Sequence, residues 1–155
     1  MSNEKKVEVI TEINNVINKY VDNYKLFCGG CCFAAYLIAR YLNKLGISYT
    51  TAIFQYSDIL NVINFNKAIN GNGVAHVAIE VEVNGEKMFI GDCSGIYHYF
   101  QSTCEDYHIR RYHRVKPMEI LKGYRNNCWN YVYNTAYNSH LSREMKKIYL
   151  KYLLK

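Results

Sequence analysis

The stretch VAHVAIEVEVNGEKMFIGDC, residues 74–93, decides the fold. Apolar and polar residues alternate through its first half, the pattern of a strand with one buried face. The apolar face would carry Val77, Ile79, Val81 and Val83, and the opposite face His76, Ala78, Glu80 and Glu82. Asn84-Gly85 is a strong two-residue hairpin signal. We therefore predict a strand over 74–83 and a return strand over 86–93, which brings His76 and Asp92 to the same end of a hairpin.

Two helices are predicted before this hairpin. Residues 4–24 repeat apolar side chains at three- and four-residue spacing, which indicates an amphipathic helix. Residues 31–45 are apolar around most of the helical circumference, so this helix should be buried. Gly29-Gly30 precedes it, and Gly46 is a natural C-terminal stop.

The remaining elements complete an α+β pattern of helices, a mostly antiparallel sheet and a helical tail. Strands are predicted over 49–55, 96–101 and 107–115, and helices over 57–69, 117–123, 126–137 and 140–154. A chain of 155 residues fits one domain with one core, here 1–155 with a basic helical extension over about 117–155.

Composition and charge limit the classes of function. No apolar run reaches the roughly 18 residues that span a bilayer, and no signal-peptide core follows the start, so we expect no membrane partner. Six cysteines in a chain of this length indicate reduced thiols and a cytoplasmic protein. The Tyr-, Asn-, Ile- and Lys-rich composition suggests an AT-rich genome, and a phage protein would act in the cytoplasm of its host.

The positive charge is concentrated in the C-terminal third. Residues 105–155 carry a net charge of +7, whereas residues 1–104 carry −1. This region could contact an acidic partner, and the run 110–116 mixes bases with aromatics in the manner of nucleic-acid surfaces. A solvated helix face and an exposed sheet face are the plainer interpretations, and nucleic acid is the less favoured partner.

The residue types that carry chemistry are a cysteine, a histidine and a carboxylate. A helix start favours an anion, and Cys31 lies at a predicted helix start behind two glycines. We predict that Cys31 is a nucleophile, His76 its base and Asp92 the group that orients the base. A strict two-residue turn would pair His76 with Cys93 and put Asp92 on the opposite face. The His76–Asp92 pair therefore requires a three-residue loop or a bulge.

Three segments together resemble the transglutaminase-like proteins of the papain-like superfamily. GGCCFAAYLIARYLNKLGI, residues 29–47, is similar to their catalytic-helix motif, with Gly-x-Cys, Ala35 four residues after Cys31, and a Leu-Gly-Ile end. AHVAIEV, residues 75–81, resembles their His strand, and FIGD, residues 89–92, resembles their Asp strand. The segment 28–34 also resembles the Cys-Gly-Ser-Cys-Trp-Ala-Phe motif of papain peptidases.

The resemblance implies a papain-like fold and a Cys31–His76–Asp92 triad without metal or cofactor. It implies a cysteine hydrolase that cleaves a peptide, isopeptide or carboxamide bond of a protein or peptide substrate through an acyl-thioester. The alternatives are a transglutaminase or acyltransferase with the same triad, and an inactive basic binding module.

Other interpretations of these residues stay open. Cys31 could be a buried structural thiol, Cys32 could be the nucleophile, and Cys28 could form a redox pair with Cys31. A zinc site from Cys28, Cys31, Cys104 and His108 is the metal alternative, although it lacks a second compact ligand pair. His76 could be a half-exposed strand histidine, and Asp92 a turn or strand-end acid bonded to backbone N–H groups.

Overall fold

The periodic segments of the sequence form the helices and strands expected of them. The computed structural model describes residues 1–24, 30–55, 64–70, 74–90, 108–127 and 135–154. In chain order the elements are α1 Asn3–Tyr24, α2 Gly30–Lys44, β1 Thr50–Gln55, α3 Phe65–Asn70, β2 Val74–Val83, β3 Glu86–Ile90, β4 His108–His113, α4 Pro117–Asn127 and α5 Thr135–Leu153. The α+β class is confirmed.

Local signals explain where the helices end. After α2 the backbone of Gly46 takes a positive φ of 74°, and the Ile47 N–H donates to the Leu42 carbonyl at 2.8 Å. This is the six-to-one bond that closes a helix at a glycine. At the start of α4 the Glu119 carboxylate accepts a hydrogen bond of 3.0 Å from the Lys116 N–H, as in a capping box.

Two boundary predictions are wrong. The break expected between residues 137 and 140 is absent, because α5 continues through it to Leu153. The helix expected to end at 123 continues to Asn127. The strand over 96–101 and residues 91–93 of the return strand lie outside the described residues.

The described strands form one antiparallel sheet in the order β3-β2-β1-β4. The helices pack on one face of it, where they bury the predicted apolar face of β2. The β2 residues in this buried core are Val77, Ile79, Val81 and Val83. The alternation read from the sequence therefore gives the correct inward face.

The other face of the sheet has a smaller buried cluster of Ala52, Phe54 and Ala78. On this face the Glu80 carboxylate, 6% exposed, accepts a hydrogen bond of 3.1 Å from Arg111 Nε. The pair reaches across β1 from β2 to β4. A buried carboxylate requires such a partner, because an unpaired buried charge is costly.

The β2–β3 turn has the two-residue geometry that its sequence predicts. Asn84 and Gly85 both have positive φ, 53° and 82°, and the pairing runs without a shift from Val83–Glu86 to Ile79–Ile90. The three-residue loop that the His76–Asp92 hypothesis allowed is therefore excluded. A bulge between these strands would have to lie beyond Ile90, outside the described residues.

No helix among the described ranges is both long enough and apolar enough to cross a membrane.

Gly123 of α4 packs closely against Ile69 of α3, and substitutions can test this contact. A Cβ built on Gly123 would lie 2.6 Å from Ile69 Cδ1 and 2.7 Å from Ile69 Cγ2. We expect Gly123→Ala to lose stability, because overpacking of about 1–3 kcal/mol outweighs the gain in helix propensity of about 1 kcal/mol.

Ile69→Ala alone should cost about 2–5 kcal/mol through the cavity that it leaves. In the double variant the new methyl group enters that cavity, so urea unfolding should show a loss well below the sum of the two single losses. Additive losses would contradict this packing.

Candidate active site

Cys31 lies in the first turn of α2 as a half-buried free thiol. The first N–H groups of an α-helix have no partner within the helix, and the helix dipole is positive at that end. Both features stabilise a negative charge on the sulfur. The predicted placement of Cys31 at a helix start is therefore correct.

His76 lies on β2 and is only 3% exposed. It is paired in register with Phe54 of β1, and the two rings are 5.2 Å apart at 50°. The next registered pair is Gln55–Val74, so Ala75 is an extra residue in β2 and forms a bulge beside His76. The interpretation of His76 as a half-exposed strand histidine is excluded by this burial.

The structure brings Cys31 and His76 together. The Cys31 sulfur makes a hydrogen bond with the His76 side chain and a second one with the backbone N–H of Val77. Cys31 and His76, which are 45 positions apart in the chain, are thereby in contact. The contact lies at the end of β2 that extends past the last described β2–β3 pair, Ile79–Ile90. Cys31 is not a thiol confined to the apolar core.

The pKa of the Cys31 thiol is held well below its ordinary value by its neighbours. The largest cause is a hydrogen bond with the Cys32 side chain. The positive charge of His76, a hydrogen bond with the His76 side chain and a hydrogen bond with the Val77 backbone lower the pKa further. Burial acts in the opposite direction and raises the pKa, but it does not prevail. The site therefore favours a thiolate beside an imidazolium, the state in which a cysteine is nucleophilic.

Cys32 and Val77 are site residues whose roles the sequence reasoning missed. Cys32 was considered only as a rival nucleophile, whereas its hydrogen bond with Cys31 lowers the pKa of the Cys31 thiol. The adjacent Cys-Cys pair was the available signal. The direction of the Val77 amide also followed from the predicted turn, because a two-residue hairpin points the N–H groups of Val83, Val81, Ile79 and Val77 toward the return strand.

Asp92 lies outside the described residues, and so do Cys28, Cys93, Cys104 and Cys128. Two of the ligands of the alternative zinc site, Cys31 and His108, lie within the described residues. His108 is an exposed residue at the start of β4. Within the described ranges no group of three or more His, Cys, Asp or Glu side chains could hold a metal ion.

The basic run 110–116 is partly occupied by contacts within the protein. Arg110 Nε donates to Gln55 Oε1 at 2.9 Å, and Arg111 pairs with Glu80. Arg114 is exposed and has a positive φ of 58° in the turn that leads to α4. Two of the three arginines therefore stabilise the sheet, which agrees with the plainer interpretation of this run.

Comparisons of the chain with models of protein families, with curated proteins and with solved structures find no match. The site geometry therefore carries the functional argument.

The contact between Cys31 and His76 predicts how Cys31 reacts with iodoacetamide as pH changes. Only the thiolate reacts, so the rate should reach its plateau below pH about 8.5, the ordinary thiol value, and should fall only at lower pH. His76→Ala removes a charge and a hydrogen bond and should move the midpoint upward. Peptide mass spectrometry at several pH values measures the rate at Cys31 alone.

His113→Ala is the matched control for this profile. His113 pairs with Thr50 at the opposite end of β1 from Phe54, so its loss should leave the profile unchanged. A Cys31 that titrates as an ordinary thiol, with or without His76, would contradict the site.

Proposed function

We propose that the protein is a cysteine-dependent hydrolase that cleaves a peptide, isopeptide or carboxamide bond through Cys31, His76 and Asp92. The observation that carries this proposal is the hydrogen bond between Cys31, at the start of α2, and His76 on β2. A polarised thiol beside an imidazole is the arrangement that nucleophilic cysteine catalysis needs.

The first half of the reaction forms a thioester. The Cys31 thiolate attacks the carbonyl carbon, a new C–S bond forms, and the π electrons of the carbonyl move to its oxygen. In this proposal the backbone N–H of Cys31, in the first turn of α2, binds this oxyanion. His76 then gives its proton to the leaving nitrogen, the C–N bond breaks, and an amine or ammonia departs.

The second half regenerates the enzyme. His76, now neutral, takes a proton from a water molecule that attacks the thioester carbonyl. The C–S bond breaks, the Cys31 thiolate returns, and the acyl group leaves as a carboxylic acid. An amine in place of water would give acyl transfer by the same steps, which is the alternative function.

Asp92 is proposed as the group that orients His76. In a regular two-residue hairpin the Val77 N–H would pair with residue 92, and the Asp92 side chain would face away from His76. The Cys31 sulfur takes this N–H as its own hydrogen-bond donor. That use of the donor favours a change of register before Asp92, which the proposed triad requires.

The α+β architecture supports the same proposal, and we propose that the fold is papain-like. A buried helix starting with the cysteine packs on an antiparallel sheet, and the histidine lies on the strand next to that helix start. The residues that resemble transglutaminase-like proteins, 29–47 and 75–81, are those that meet at the site. Free thiols at Cys31 and Cys32 favour a reducing compartment such as the cytoplasm.

Turnover can be tested with a pooled library of N-blocked peptides that contain glutamine and isopeptide bonds, in water enriched in ¹⁸O. Hydrolysis should put one ¹⁸O into each new carboxylate, and a trapped adduct should add the acyl mass at Cys31. Cys31→Ala should abolish both signals, and His76→Ala should slow turnover by about 10²–10⁴-fold. An added primary amine separates acyl transfer from hydrolysis, because only transfer incorporates it. Turnover that survives in Cys31→Ala would end the proposal.

Asp92→Asn tests the third member of the triad. It should slow turnover at saturating substrate by at least about tenfold, because an amide does not hold an imidazolium as a carboxylate does. Glu86→Gln removes an equal charge from an exposed position of the hairpin and is the matched control. Equal activity of the Asp92→Asn and Glu86→Gln variants would remove Asp92 from the mechanism while leaving Cys31 and His76 in it.

A further inference from the structure

His76, the proposed base, lies directly opposite an aromatic ring on the neighbouring strand. It is paired in register with Phe54 of β1, and opposed residues of an antiparallel pair project from the same face of the sheet. The two ring centroids are 5.2 Å apart and the ring planes meet at 50°. Phe54 is fully buried and His76 is 3% exposed. The phenyl ring therefore forms one wall of the enclosed space in which the imidazole lies.

The side chains next to Phe54 on this face are small. Ala52 and Ala78, the other members of the buried cluster, have no side-chain atoms beyond Cβ, so they restrain a neighbouring imidazole much less than a phenyl ring does. Phe54 itself packs with Phe89, with ring centroids 5.6 Å apart at 52°, and the Arg111 guanidinium lies 6.0 Å from the centre of the Phe89 ring. The phenyl ring is thereby held by its own neighbours and is a firm support.

The pair Phe54–His76 is also the last regular pair before the bulge in β2. The next registered pair is Gln55–Val74, which leaves Ala75 as the extra residue. A bulge bends a strand and re-aims the side chains beside it, so the regular ladder does not fix the direction of His76 on that side. Packing against Phe54 then selects which staggered rotamer the imidazole adopts.

We propose that Phe54 is a positioning residue, whose ring fixes the rotamer of His76 so that the imidazole faces Cys31. The inference rests on the proposed function and deepens it, because it assigns the residue that orients the base from the neighbouring strand. Phe54 has no group that exchanges a proton, so it acts through His76. An imidazole that is free to turn would spend part of its time away from the sulfur, and its charge and hydrogen bond would then support the thiolate less.

The test compares the pH profile of iodoacetamide alkylation of Cys31 in the intact chain and in Phe54→Leu, which removes the ring but keeps an apolar side chain. The midpoint should move upward, in the direction expected for His76→Ala, and the rate at low pH should fall by about threefold or more. Thermal unfolding followed by circular dichroism shows that the variant is folded. Phe54→Met, whose flexible side chain fills irregular gaps, replaces it if leucine prevents folding.

Phe65→Leu is the matched control for the loss of a buried ring. Phe65 of α3 is buried in the core on the other face of the sheet, where its ring contacts that of Tyr112 at 5.6 Å and 81°. Its substitution should lower thermal stability but leave the Cys31 profile unchanged. An unchanged profile in folded Phe54→Leu, or an equal shift in Phe65→Leu, would overturn the inference.

The double variant Phe54→Leu with His76→Ala shows whether Phe54 acts through the imidazole. Without His76 the leucine substitution should cause no further shift of the midpoint, because the group that it positions is gone. A shift of the same size in both backgrounds would overturn the inference. If His76→Ala leaves the midpoint unmoved, the proposed function fails. If only Phe54→Leu leaves it unmoved, the positioning role fails and the proposed function stands.

Discussion

The hydrogen bond between a sulfur at the start of a helix and an imidazole on a strand is the constraint on which the site depends. It requires the start of α2 to lie at the end of β2, beside His76 and Val77. Burial fixes this placement, because Leu37, Ile38 and Leu42 of α2 are almost fully enclosed in the core. A helix buried on several sides cannot slide along the sheet without exposing apolar surface or losing packing.

The sheet contributes as much as the helix. His76 is immobilised by burial, by its ring contact with Phe54 and by the bulge at Ala75. On the same face Phe54 also packs with Phe89, at 5.6 Å between ring centroids, and the Glu80–Arg111 pair lies farther along the strand. As the proposed base, His76 would lose little further freedom on meeting a substrate, because its ring is already held by an aromatic cluster, and such pre-organisation lowers a barrier.

The two cysteines show how environment separates identical side chains. Adjacent positions on a helix are about 100° apart, because one turn takes about 3.6 residues. Cys31 is thereby directed to the polar groups of β2, and Cys32 to the apolar core. Cys31 is surrounded by donors that favour ionisation, whereas Cys32 packs against apolar side chains.

Much of the fold could be predicted from local sequence patterns. The alternation over 74–83 predicted β2 and its buried face, Asn84-Gly85 predicted the turn, and the apolar run between Gly30 and Gly46 predicted the buried helix. These features depend on side-chain period and on backbone angles that few residues adopt, so a single sequence contains them. The continuation of α4 to Asn127 and of α5 through residues 137–140 was missed, because tertiary context can extend a helix beyond what local propensity indicates.

The sequence by itself determined which residues could react: a cysteine at a helix start and a histidine on a strand. Only the tertiary structure decided that they touch, and that the Val77 amide, whose direction followed from the predicted turn, meets the sulfur. The reason is that a contact across 45 residues depends on how a buried helix sits on a sheet. That position is set by many core side chains acting together, and no local stretch of sequence contains it.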